Sequence, residues 1–280
     1  MSSQIPCLGA EPAAEVAEVL DTAKISYICF GWLSLALLAW DANIGEVEIV
    51  VRDKDFEAAR EALSEAGFRL CDKEDCIQLR DRRVPLRHEP AWTPMGWNRD
   101  DGFHIVPEAH FHLEMQYDNC TVLSLYKKSS LLRRIRVLED EPEDDDPTLV
   151  WLSNDCSRLP EARADGPSGP WTQLHPVRIL DPTLFCEVLL FIMCRDCGRV
   201  GHRSFGCLVM WEKLVWKQMR LNRPLRPDFQ LICDIGEDLW VRGIRKRCPY
   251  KFMRVCRKEL IANGELRPEE MTNIVEDYTH

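Results

Sequence analysis

The sequence predicts an α/β protein, of the α+β kind, with a mixed-sheet core followed by a helical C-terminal region. Three observations carry that prediction. The first half runs strand, glycine, buried helix, acidic strand, amphipathic helix. Asp53 to Ala66 places Phe56, Ala59, Ala62 or Leu63, and Ala66 on one side, and Gly67 ends it as a C-terminal stop. Beyond residue 170 the chain turns helical, with prolines opening two helices and Gly264 closing another.

The elements follow in order. Glu11 to Lys24 has helical composition, with Pro12 near its start. Ile25 to Phe30 reads as a short strand ended by Gly31, and Trp32 to Trp40 as a buried helix rich in Leu and Ala. Glu46 to Val51 begins with alternation and continues β-branched, as a strand does. Phe68–Cys71, Cys76–Leu79, His110–Tyr117 and Thr121–Tyr126 are further strand candidates, and Pro85 to Gly102 reads as a loop. Residues 139–170 combine an acidic run with Asp165-Gly-Pro-Ser-Gly-Pro and read as a linker between a 1–138 core and a 171–280 helical region. After a short strand at His175 to Leu180, Asp181-Pro182 supplies an N-cap and a proline at the first helical position. Helices are then expected over 184–193, 207–221, about 229–244, 249–263 and 268–278.

Composition narrows the class. Hydrophobic residues at 45% and charged residues at 29% suit a folded chain rather than a disordered one. Met1 to Ala10 lacks the basic start and apolar run of a secretory signal, and the apolar run Ile25 to Trp40 is short for a bilayer. No membrane is expected, and thirteen cysteines without a secretory signal read as reduced thiols, core residues or metal ligands. Cytoplasm or nucleus is the expected location. The net charge of −10 hides an asymmetry: residues 195–258 carry 16 Lys and Arg against 6 Asp and Glu, or +10, which leaves −20 for the rest. That basic stretch either meets nucleic-acid phosphates or faces the acidic part of its own chain.

Phe30-Gly31-Trp32 precedes Glu46-Val47-Glu48-Ile49, with 13 residues between. This resembles the nucleotidyltransferase superfamily, in which an apolar residue and Gly are followed by Gly or Ser, and then by two acids alternating with apolar residues. The resemblance covers about Ile25 to Tyr117 and implies a mixed-sheet core, a nucleotide or protein partner, and Mg at the acids. It places Glu46 and Glu48 as metal ligands, Glu114 as a third carboxylate, and Gly31, Trp32 and Ser34 at the phosphates. The chemistry stands without the name: acids at i and i+2 of a strand share a face and can share a divalent cation. The sequence departs from the pattern at two places. Both acids are Glu, where the first is usually Asp, and Trp32 stands where a small residue contacts phosphate, with Ser34 two places on. Carboxylate placement is sensitive on the order of an ångström, so these departures predict a retained fold with weakened or lost catalysis. An active Mg-dependent enzyme on an unknown acceptor is the alternative, and a plain solvent-facing strand is a third reading of the acid pair.

Two metal-ligand patterns remain. His110, His112 and Glu114 alternate on one strand and can ligate one metal, with rim histidines as the ordinary reading. Cys194, Cys197, His202 and Cys207 fit C-x2-C-x4-H-x4-C with Gly198 and Gly201 between, and resemble a retroviral-type zinc knuckle. That resemblance implies Zn and single-stranded nucleic-acid binding, with Trp211, Trp216, Trp240 and Tyr250 for stacking. The competing reading makes the same cysteines small core residues at a helix end and the next helix start.

Overall fold

The fold of the chain is taken from a computed structural model. It describes residues 9–38, 46–73, 76, 107–113, 122–133, 135–139, 148–161, 169–196, 205–216, 221–236, 238 and 249–266. Two compact units divide the chain, Met1–Lys73 with Pro107–Phe185, and Glu74–Val106 with Cys186–His280.

The first unit is organised by a seven-stranded mixed sheet. Its strands are β1 (Tyr27–Phe30), β2 (Glu46–Val51), β3 (Arg69–Leu70), β4 (Ala109–His112), β5 (Val122–Lys127), β6 (Val150–Leu152) and β7 (Arg178–Leu180). They lie in the order β3-β4-β5-β2-β1-β7-β6. β2 runs antiparallel to β1 and parallel to β5, and β4 runs antiparallel to β5 and to β3. The sheet is thus mixed, with β5, β2 and β1 at its centre. Val47, Ile49 and Val51, with Leu123, Leu125, Tyr27 and Cys29, form a wholly buried apolar set on alternate strand positions.

Among the described residues, four helices belong to this unit alone: α1 (Ala10–Thr22), α2 (Gly31–Leu38), α3 (Phe56–Glu65) and the single turn α4 (Lys128–Leu131). α1 buries Ala13, Val16, Ala17 and Leu20 at helical spacing, and packs on α3 and β1. Every residue of α2 is buried, which accounts for its lack of a polar face. α3 follows one turn of 3-10 helix at Asp53–Asp55, and Gly67 beyond it takes φ +99°, where a Cβ would be strained. Asp21 at the end of α1 ties the helix to β7 and the residues before it, accepting from His175 Nε2 at 2.8 Å and from Arg178.

The stretch 139–170, expected as a linker, contributes β6 to the sheet. Val150-Trp151-Leu152 is an apolar triplet, and it pairs antiparallel with β7 across the whole of both strands. Ser153 continues the tie, its amide donating to the Val177 carbonyl at 2.8 Å and its hydroxyl accepting from the Val177 amide at 2.9 Å. The acid run next to this triplet hid it. Of the expected strand at His110–Tyr117, the first residues lie in β4 (Ala109–His112) and 114–117 lie outside the described set, as do 77–79, while Cys76 has no regular structure.

The second unit is helical among its described residues. α5 (Pro182–Asp196) leads into it, followed by α6 (Phe205–Trp216), α7 (Pro227–Gly236) and α8 (Pro249–Ala262). Asp181 caps α5 as its sequence predicts: Oδ1 accepts from the Thr183 amide at 3.0 Å and the Leu184 amide at 3.3 Å. The α6–α7–α8 core is held by Trp211, Phe229, Ile232, Met253 and Leu260, all nearly inaccessible. Several charges of the basic stretch are neutralised inside this unit. Glu187 accepts from Arg223 and from the Arg226 amide, and the Arg226 guanidinium grips Asp228 and Glu265. Hydrogen bonds to Glu265, opposed by burial, hold the Arg226 pKa above its ordinary value.

Candidate functional site

Glu46 and Glu48 on β2 and His110 and His112 on β4 share one face of the sheet. β2 alternation puts Glu46 and Glu48 opposite to the apolar set. Register then places Glu48 beside Ser124, Ser124 beside His110, and Glu48 beside Phe30 on the other flank. A second row runs Glu46, Val122, His112, Arg69. Residues opposite each other in a ladder point the same way, so these two rows form a polar band across four or five strands.

At β2 the band is closely packed. Glu48 is only 5% exposed and Ser124 is inaccessible. The Tyr126 hydroxyl donates to Glu48 Oε1 at 3.4 Å. The other oxygen lies against the first residue of α2: a Cβ built on Gly31 would fall 1.6 Å from Glu48 Oε2. Gly31 also takes φ +73°. Its missing side chain therefore makes room for a carboxylate of the same chain, at the end of a helix where the dipole favours negative charge. Trp32, the next residue, is 8% exposed. Ser34 is buried within α2, and its hydroxyl donates to the Cys29 carbonyl at 2.7 Å. Phe30 packs edge-on against Phe185 of α5, with centroids 5.4 Å apart. Glu46 is half-buried at the start of β2, and Glu114 lies outside the described residues.

At β3 and β4 the same face carries a different chemistry. Cys71 follows Arg69 by two positions, and its amide donates to the His110 carbonyl at 3.0 Å, which sets it opposite His110. The His110 and His112 rings stand side by side on β4 with centroids 5.5 Å apart. Cys76 follows Cys71 at C-x4-C spacing, so a short stretch of chain sets its position. One ligand atom from each of Cys71, Cys76, His110 and His112 lies within 4.8 Å of every other, a group that can hold a metal ion. His110 and Cys76 are buried, while Cys71 and His112 are half-buried. Burial first, then the cations Arg69 and Lys73, hold the His112 pKa below its ordinary value, which favours the neutral imidazole.

The sequence singled out His110 and His112 through strand alternation, and assigned Glu114 as their companion. It did not single out Cys71 and Cys76. The signal available was the C-x4-C spacing at the end of a strand that pairs with His-x-His. Of the knuckle pattern, Cys194 lies buried in α5 and Cys207 buried in α6, while Cys197 and His202 lie outside the described residues. Trp211, a candidate stacking residue, is wholly buried, with its indole Nε1 donating to Cys233 Sγ at 3.3 Å. Trp240 and the basic cluster Arg245-Lys246-Arg247 lie outside the described residues.

The fold and site define an α/β protein with a mixed seven-stranded sheet, a carboxylate pair on its central strand and a Cys/His cluster towards one edge. Compared with protein-family models, curated proteins and solved structures, the chain matches none. Among the described residues, no helix is long and apolar enough to cross a membrane.

Proposed function

We propose that this protein is a nucleotidyltransferase-like scaffold whose catalysis is weakened or lost, and which binds a nucleotide or a protein partner. The observation that carries this reading is the position of Glu48, a buried carboxylate seated against Gly31 at the start of α2. An active clamp needs both strand acids turned to a Mg²⁺ ion that retains several waters and takes substrate phosphate oxygens. Glu48 instead has the Tyr126 hydroxyl on one oxygen and the glycine on the other. Trp32, in place of a small residue, adds bulk at the same helix end. Buried cysteines outside disulfides, among them Cys29, Cys186, Cys194, Cys207 and Cys256, suit a reducing compartment, cytoplasm or nucleus.

The test is calorimetric titration of nucleoside triphosphates with Mg²⁺ and with Mn²⁺, paired with a turnover assay, on wild type and on a Glu46→Ala, Glu48→Ala double variant. The scaffold reading expects turnover absent or barely above background with either metal. Sustained metal-dependent turnover in wild type that vanishes in the variant would make the protein an active nucleotidyltransferase and overturn the reading.

A further inference from the structure

We propose that Cys71, Cys76, His110 and His112 bind one Zn²⁺ in a closed, structural Cys2His2 site that fastens β3 to β4. This site is separate from the carboxylates of β2 and does not depend on whether they bind nucleotide.

The donor set selects the metal. Two thiolates and two imidazoles are the ligands of structural zinc sites, whereas Mg²⁺ and Ca²⁺ take oxygen. Two thiolates also neutralise the dication, so the completed centre carries no net charge into a site where His110 is 3% and Cys76 4% exposed. Four protein ligands fill a tetrahedron and leave no open position for water, which makes the site structural rather than hydrolytic.

The geometry is near what zinc requires. Bonds of about 2.3 Å to sulfur and about 2.0 Å to nitrogen give tetrahedral edges of about 3.3–3.8 Å. The ligand atoms already lie within 4.8 Å of one another, so closing on the ion needs movements on the order of 1 Å. Rotation about side-chain torsions supplies that. Strand alternation does the preparation: His110 and His112 share a face, and the Cys71 amide bond to His110 brings the first thiol to the same face.

The local fold also needs the tie. Among the described residues, β3 is two residues long, and its pairs Arg69↔His112 and Leu70↔Phe111 are extended only by the Cys71 amide bond to His110. So short a strand is weak on its own hydrogen bonds. A metal bonded to both sides of the β3–β4 pair, and to the chain just after β3, adds a cross-link where the ladder ends.

The experiment uses the full chain, purified without chelator under reducing conditions, with metal content measured by elemental analysis and the fold followed by circular dichroism. About one zinc per chain is expected. Replacement by Co²⁺ should produce the visible spectrum of a tetrahedral thiolate-bound ion. Cys71→Ser and His112→Ala, both at half-buried positions, should each weaken zinc binding more than about 100-fold. A Cys194→Ser, Cys207→Ser double variant should keep the metal. Zinc that leaves with the Cys194 and Cys207 substitutions while Cys71→Ser retains it would overturn the proposal. So would a folded wild type that takes up neither zinc nor cobalt, or a mass two hydrogens short that maps to a Cys71–Cys76 disulfide. If either single variant fails to fold, the wild-type cobalt spectrum and protection of Cys71 and Cys76 from alkylation by bound zinc decide the matter.

Discussion

β2 and β4 are separated by one strand, point potential ligands from the same face, and prepare them for opposite purposes. On β2 the ligands are two carboxylates of like charge, and the inner one is walled in by Gly31, Tyr126 and Ser124. On β4 the ligands are two imidazoles, joined by two thiols from the neighbouring edge. Like charges brought together need a shared cation or proton, a cost that imidazoles and thiols do not carry. The difference teaches that a metal-ligand motif on a strand is not a site until the neighbours on the same row are known.

The largest effect expected from this comparison is on stability and falls on β4. A ligand that binds only the folded state stabilises it by about 4 kcal/mol when free zinc stands a thousandfold above its Kd. Chelation should therefore lower the wild-type melting temperature clearly and leave Cys71→Ser almost unmoved. Magnesium, added or removed, should shift neither protein. A thermal melt with each chelator and each metal separates the two strands in one experiment.

How much of this was legible in the sequence depends on the distance over which each feature is written. β2 is observed with the bounds its alternation predicts, Glu46–Val51, because the signal lies within six residues. The Asp181 cap and the Gly67 stop were legible for the same reason. β6 was not, since three apolar residues beside a long acidic run carry no period. The carboxylate pair was legible as a motif, but the burial of Glu48 was not: that follows from Ser124 and Tyr126 of β5 and Gly31 of α2 meeting it. The metal cluster was half legible. His110 and His112 announce themselves by alternation, while Cys71 and Cys76 join them only once β3 folds back on β4 across all of residues 77–106.

The next effect belongs to β2. Gly31→Ala forces an L residue to φ +73° and sets a methyl 1.6 Å from the Glu48 carboxylate. The first term costs about 1–2 kcal/mol and the clash adds to it, for a total of about 3 kcal/mol in urea denaturation. A Glu48→Ala partner substitution should recover the clash and leave the backbone term. Additive losses in that double-mutant cycle would mean that Glu48 is not what fills the space beside Gly31.

Tyr126→Phe removes the hydroxyl that reaches Glu48 Oε1 and leaves the ring packing intact. The expected loss is about 1 kcal/mol, the ordinary net worth of one hydrogen bond to a charged acceptor that is somewhat long. A loss of several kcal/mol would mean that the carboxylate depends on Tyr126 to stay buried.

The smallest expected effect is the most discriminating for function. Glu48→Gln keeps the shape of the side chain and removes its charge beside the start of α2. If that charge serves the fold, its favourable place at the helix end is worth roughly 0.3–1 kcal/mol, and the substitution should cost no more. If instead the charge exists to hold Mg²⁺, two like carboxylates without the ion repel each other, and the neutral variant should be more stable than metal-free wild type. The sign of the change therefore distinguishes the two uses of one residue. Denaturation of both proteins in chelator, at constant ionic strength, measures that sign without an acceptor substrate or a nucleotide being known.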